Sequence, residues 1–292
     1  MQRIVILGCG DIGERVARLW YSRGVPVTAV LRSATRVQAL QDADIDALQM
    51  DLANDDLSRI PTHGNRIYYF APPPNEGRTD PIIARWLASL GKDNKPAKIV
   101  YISTTGVYGD CQGAWIDEDT PVNPQADRAW RRVDAEQRLQ SWARDHQVPL
   151  AILRVAGIYG PGRLPLEALK KGQPVLRNSA APYSNRIHAD DLAQVCVAAM
   201  VREEGTGIFN VCDGEESTMS DYYQTVARVY ELPPPEEIGW EEARRRFSPG
   251  LLSYLVESRR IRNQRMLERL KVKLHYPTLL DGVRATRAEE GR

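Results

Sequence analysis

Two short runs hold the residue types best able to do chemistry: GCGDIG, residues 8–13, and DRAWRRVDAEQRLQSW, residues 127–142. In the first, Gly8 permits a tight turn, Gly10 lets the backbone approach a ligand, and Gly13 lets a helix pack closely on a strand. Cys9, Asp11 and Ile12 complete the spacing. Lying between the apolar IVIL and the helical ERVARLW, the loop offers bare N–H groups and a helix dipole to a diphosphate, so a dinucleotide site is expected here. Farther on, VLRSATR supplies Arg32 and Ser33 where an NAD-preferring site places a carboxylate on the ribose 2′-hydroxyl. A cation and a hydroxyl suit a 2′-phosphate instead, so NADP is the expected cofactor and NAD the less expected one.

The second run carries Arg128, Arg132, Ala135, Leu139 and Trp142 at steps of three or four, hence on one helical face. Its arginines continue an apolar stripe, and inward guanidinium groups need anionic partners to offset desolvation. Asp80, the segment Asp117-Glu118-Asp119 and an anionic ligand are the three candidates. The choice between an internal salt-bridge cluster and a ligand site stays open at this point.

The elements that must position these residues are short strands alternating with helices. Strands are expected at 3–8, 25–31, 47–51, 66–71, 98–104, 149–155 and 207–213, mostly apolar throughout, as strands buried on both faces of a parallel sheet are. Helices are expected at 12–23, 127–144, 190–202, 217–231 and around 257–270. The order predicts an α/β fold, a Rossmann-type doubly wound parallel sheet with a small C-terminal α/β lobe. Residues 1–160 read as the dinucleotide-binding domain; residues 161–292 read mainly as a substrate lobe interleaved with the last strands of the sheet. The tail TRAEEGR is polar and expected to fray.

Composition narrows the function classes. With 39 basic and 38 acidic side chains, the net charge of +1 makes no bulk case for nucleic acid or an anionic membrane. The basic SRRIRNQRMLERLKVK reads as an amphipathic helix, with Ile261, Leu267 and Leu270 inward and a solvated basic face. Four separated cysteines suit reduced thiols, and four scattered histidines give no metal spacing. No apolar run approaches a membrane span and no signal peptide is evident, so a cytoplasmic location is expected. Small-molecule ligands, and a monomer or homodimer, are the expected partners; Ile82, Trp86 and Leu90 could join the 127–143 helix in a helix-pair interface.

KIVYISTTGVYG (98–109), LRVAGIYGPG (153–162), NRIHADDLA (185–193) and the later ESRRIRN and HYPT occur in an order that resembles the extended short-chain dehydrogenase/reductases over nearly the whole chain. With GCGDIG as its glycine loop, the chain is most similar to an atypical, epimerase- or dehydratase-like subgroup that binds NADP. The resemblance implies that Asp51 and Leu52 contact adenine and that Ala71, Pro72 and Pro73 line the cofactor. It implies that Thr104 orients a substrate oxygen, although a threonine there can equally cap a turn. It also implies that Val155, Gly157 and Ile158 lie beside the nicotinamide.

Departures from the family pattern matter as much. Framed on Glu136, the family's tyrosine and lysine positions hold Arg128 and Arg132. Arginine cannot be deprotonated in a protein, so neither is an acid or base at neutral pH. Arg132 could still contact ribose as a fixed charge. Asp80 stands about where the family has an active-site Asn, and Gly157 where nucleotide-sugar enzymes carry an Asn, which argues against a nucleotide-sugar epimerase. Tyr108 and Tyr159 are the remaining candidate phenols; Asp80, Tyr108 and Arg128 are assigned to the substrate pocket. Two functions are compatible with these residues: an NADP-dependent oxidoreductase or epimerase/dehydratase on a small substrate, with Thr104 catalytic, or a non-catalytic NADP-binding sensor or scaffold.

Overall fold

The apolar runs that read as doubly buried strands do form one sheet. A computed structural model describes residues 2–91 and 94–291. The chain begins β1 (Ile4–Leu7), α1 (Asp11–Tyr21), β2 (Val27–Leu31), α2 (Ala34–Gln41), β3 (Asp46–Gln49), β4 (Arg66–Tyr69), α3 (Pro81–Ser89) and β5 (Lys98–Thr104). It continues with β6 (Trp115–Ile116), α4 (Asp127–His146), β7 (Leu150–Val155), β8 (Gly157–Tyr159), α5 (Leu166–Lys170), β9 (Val175–Leu176), β10 (Arg186–His188), α6 (Ala189–Val201) and β11 (Gly207–Val211). The last part holds α7 (Met219–Val229), β12 (Glu237–Ile238), α8 (Trp240–Arg246), α9 (Pro249–Leu255), β13 (Arg260–Ile261), α10 (Gln264–Leu270) and α11 (Leu279–Glu290).

Seven strands pair in the order β11-β7-β5-β4-β1-β2-β3, every pair parallel. The order reverses between β1 and β4, which opens a crevice at their carboxyl ends, where the glycine loop lies. β1 and β2 are buried at every position, which is why they read as unbroken apolar runs rather than alternating ones. The helices cover both faces. Trp20 of α1 donates from Nε1 to Tyr68 Oη at 3.0 Å, and that hydroxyl donates to the Cys196 carbonyl of α6 at 3.2 Å. One buried hydrogen-bond chain therefore ties two helices to the middle of the sheet.

Three further pairs of very short parallel strands, β8 with β10, β9 with β12 and β6 with β13, fasten the later part of the chain beside the sheet. The helix expected around 257–270 is corrected here. Its first part is β13, held by Arg260 N to Ala114 O and Arg262 N to Ile116 O, and only Gln264–Leu270 is helical. On that helix Met266 and Leu270 are buried while Leu267 is exposed, so the inward face differs by one residue from the expected one. The expected fraying of the tail is also corrected as far as Gly291, Arg292 lying outside the described residues. α11 runs to Glu290, capped by Thr278, and Thr286 is fully buried. Trp86 and Leu90 are buried within the chain, and Ile82 lines a cleft beside residues 8–10, so they do not form a free helix-pair face. Among the described residues, no helix is long and apolar enough to cross a membrane.

Candidate functional site

The glycine loop works through close approach. Gly8 has φ +84°, and a Cβ there would stand 2.4 Å from the backbone of Ala71 at the exit of β4. Gly13 packs against Ile6 and Cys9, where a Cβ would meet atoms at 3.2 Å. Gly10 precedes α1, and its missing Cβ would touch nothing nearer than Gly8 O at 4.0 Å, so its surface is open. A cleft of about 460 Å³ spreads from this loop. Gly8, Cys9, Gly10, Arg32, Ser33, Asp51, Leu52, Ala71, Pro72 and Pro73 line it, together with Arg36, Pro74 and Asn75.

Other residues of the loop face elsewhere. Asp11 is held by Arg15 at 3.0 Å and Arg163 at 2.7 Å, and Ile12 is buried in the core. Burial pushes the Cys9 thiol up to about 12, so it is a packing group rather than a nucleophile. Ser33 caps α2 by accepting from Arg36 N at 3.4 Å. Arg36, whose guanidinium also reaches Glu14 at 3.1 Å, was not singled out from the sequence; its place four residues after Arg32 was the available signal.

Pro72, Pro73, Pro74 and Asn75 also wall a second cavity of about 560 Å³, so the two spaces share one boundary. Thr104, Thr105, Gly106, Ala156 and Gly157 form its sheet-side wall, and α4 contributes Arg128, Arg131 and Arg132. Residues 182–186 and 254–259 close it from the later part of the chain. Thr104 ends β5 and its Oγ1 accepts from Gly106 N at 3.1 Å, so it both caps the following turn and lines the cavity. Val155 and Ile158 pack into the core instead, leaving Ala156 and Gly157 as the wall.

The arginines of α4 do reach the cavity and hydrogen-bond to none of the internal acids considered from sequence, although the charge of Arg132 partly offsets the rise that burial imposes on the Asp80 pKa. Arg128 donates from Nη1 to Ser253 Oγ at 2.9 Å, stacks over Tyr254 at 3.9 Å and stands 3.9 Å from Glu257. Arg132 donates to Tyr101 Oη and to the Ile102 carbonyl, both at 3.1 Å. Arg131 donates to the Gly77 carbonyl at 2.7 Å. Glu118 and Asp119 pair with Arg265 at 3.5 and 2.6 Å.

Asp80 and Tyr108 are not brought to the cavity, which corrects their placement in a substrate pocket. Asp80 is fully buried as the cap of α3, accepting from Ile82 N and Ile83 N at 3.1 Å each, and burial raises its pKa. Tyr108 is buried in a network, donating to Asn210 Oδ1 at 2.8 Å and accepting from Arg154 Nη1 at 2.9 Å. Arg154 in turn forks onto Glu136, with Nη2 to Oε2 at 2.7 Å. Tyr159 is likewise buried, its hydroxyl directed at the Thr278 carbonyl at 3.4 Å. Burial raises both phenols further, so neither is a proton donor to a ligand in this cavity.

The cleft lies at the switch point of a parallel sheet and adjoins a cavity at Thr104. Residues 4–212 match the NAD dependent epimerase/dehydratase family. The chain belongs to that family. It is 27% identical over 252 residues to protein YeeZ of Escherichia coli K12, covering 81% of this chain and 86% of that one. A functionally unknown conserved protein from Silicibacter pomeroyi superposes with a TM-score of 0.83 at 30% identity, all of both chains covered. The UDP-glucuronic acid 4-epimerase of Bacillus cereus in complex with NAD superposes with a TM-score of 0.78 at 17% identity, covering 98% of each chain, a likeness of fold. The resemblance to an atypical short-chain dehydrogenase/reductase therefore stands, as does the Rossmann-type fold. No tyrosine anywhere in this family member has a lysine four residues after it.

Proposed function

We propose that the chain is an NADP-dependent oxidoreductase or epimerase/dehydratase acting on a small substrate, with the cofactor in the cleft at residues 8–13. The observation behind this reading is that the cleft and the cavity at Thr104 adjoin, with Pro72–Asn75 lining both. Gly10 leaves open space for a diphosphate beside the N-terminus of α1. Arg32 and Arg36, next to the α2 cap Ser33, offer fixed positive charge to a 2′-phosphate. We take residues 1–160 as the main cofactor-binding domain, and residues 161–292 as mainly the substrate lobe.

NADP, when bound, supplies the hydride acceptor or donor. Thr104 orients a substrate oxygen from the end of β5. Arg132 contributes a fixed charge against ribose or substrate and moves no proton. Glu257 lines the cavity but is held by Arg259 at 2.8 Å. The proton at the substrate oxygen therefore falls to water, or to Tyr183, a residue of the wall whose ring packs beside Gly113 and Arg260.

The missing tyrosine and lysine favour a second reading, a non-catalytic NADP-binding sensor on the same fold. NADPH titration by fluorescence, followed by its oxidation against a carbonyl panel and a separate product assay for redox-neutral epimerisation, divides the two. Under the enzyme reading, Thr104→Ala lowers turnover by about 10²-fold with NADPH affinity unchanged. Tight NADPH binding without turnover in either assay is the sensor's result, and absence of NADPH binding overturns both.

A further inference from the structure

Five guanidinium groups wall the cavity at Thr104, those of Arg128, Arg131, Arg132, Arg186 and Arg259, against the single carboxylate of Glu257. That carboxylate is already engaged, by Arg259 at 2.8 Å and Arg128 at 3.9 Å. Arg186 stands apart from this pair. It opens β10, is only 9% exposed, and its guanidinium lies 4.3 Å from the centre of the Tyr222 ring. Its side chain makes one hydrogen bond, from Nη2 to the thioether of Met219 at 3.0 Å, a weak acceptor. Nε has no partner, and among the described residues no carboxylate pairs with it. Asp213, the acid whose field reaches it most strongly, accepts instead from Glu215 N at 3.1 Å and leaves its other oxygen unpaired.

Space for this guanidinium is made by a glycine. A Cβ at residue 157 would meet Arg186 Nη1 at 2.2 Å, so Gly157 and Arg186 depend on each other. A buried ion without a counter-ion costs several kcal/mol, and an arginine cannot relieve that cost by releasing its proton. The compensating charge must come from outside the chain. The group that fits a planar guanidinium fork with free N–H donors is an oxyanion.

We propose that Arg186 binds an oxyanion of the substrate, a carboxylate or a phosphate, in the cavity that Gly157 opens. The proposal rests on reading that cavity as the substrate site. It makes the substrate an acid or a phosphate ester, with Arg186 its affinity and specificity determinant. Nothing in it depends on which redox step follows.

The test is calorimetric titration of the full-length protein, saturated with NADPH, against inorganic phosphate and against malonate at ionic strength matched with chloride. The wild type binds at least one of them, and the one bound identifies the oxyanion. Arg186→Met weakens that binding by about 10- to 100-fold, the worth of a charge-assisted pair. Its melting temperature without anion is equal to or above the wild type's, because an unpaired buried charge has been removed. Gly157→Ala, which displaces the guanidinium without deleting it, gives the same loss and serves if the first variant does not fold. No binding of either anion, undiminished binding in the variants, or a destabilised Arg186→Met with wild-type anion affinity overturns the proposal. NADPH fluorescence on the same samples keeps the two readings separate. Lost NADPH binding with an Arg186-dependent anion response refutes the cofactor assignment alone.

Discussion

Replacing Glu136 by leucine perturbs the group that anchors the arginine-bearing helix to the sheet. Glu136 and Arg154 are 3% and 5% exposed, joined at 2.7 Å with further contacts at 3.2 Å from Nε to both carboxylate oxygens. Ser103 of β5 donates to the same carboxylate, and Arg154 extends the network to Tyr108. Leucine leaves the guanidinium buried beside a single neutral phenol, and removing one partner of a buried pair costs about 3–5 kcal/mol. In a domain of this size each kcal/mol lowers the melting temperature by roughly 2 °C, so a fall of about 6–10 °C is expected. The double variant Glu136→Leu/Arg154→Met replaces both ions by apolar groups and recovers most of the loss, since the pair is matched by good packing. Calorimetric melting with urea titration of wild type, both single variants and the double variant yields the coupling. A Glu136→Leu protein within about 1 kcal/mol of wild type, or a double variant no better than the single one, refutes the reasoning.

The glycine loop separates fold from binding. Gly8→Ala forces a Cβ into the Ala71 backbone at φ +84° and loses more than about 2 kcal/mol in a urea melt, whereas Gly10→Ala keeps the melting temperature and weakens NADPH binding, as read by fluorescence. Arg32→Ala combined with Arg36→Ala lowers NADPH affinity by about 10- to 100-fold and leaves NADH affinity nearly unchanged. Asp213 is pushed from 3.8 up to about 8 by burial, so between those values the folded chain keeps a proton that the unfolded chain has released, and stability falls as pH rises through that window. Asp213→Asn removes this slope, and thermal melts at about pH 5 and pH 8 should show its gain at the higher pH only.

The sheet was legible because most of its strands are short apolar runs buried along their length, a pattern that needs no partner to be recognised; the edge strand β3, with Asp46 and Gln49 exposed, is the exception. α3 was not read as a helix, although Asp80-Pro81 is a cap followed by a proline at the first helical position. Matching Asp80 to a family site position hid that local chemistry, and the structure returns the residue to its cap. β6 and β13 have two residues each, too few for any period to show. The glycine loop was legible because its glycines act through backbone contacts close in sequence and across one strand. Arg186 was not legible, because its significance lies in the carboxylate that fails to meet it. That failure is a tertiary fact.

The arginines of α4 change what kind of site this family member can have. A tyrosine and lysine at these positions would form a titratable pair, one group setting the proton affinity of the other. Arg128 and Arg132 have no accessible neutral form, so they fix the field of the cavity instead of moving charge through it. The chain answers that field sparingly. Arg131 and Arg132 meet only neutral oxygens, Arg128 shares one carboxylate with Arg259, and Arg186 meets a thioether. A structural ion-pair cluster would match acids to bases within the chain, as Glu136 and Arg154 do a few ångströms from one another in the core beneath. The cavity leaves its excess of guanidinium groups unmatched, which is the electrostatic signature of a site completed by an anion rather than by the protein.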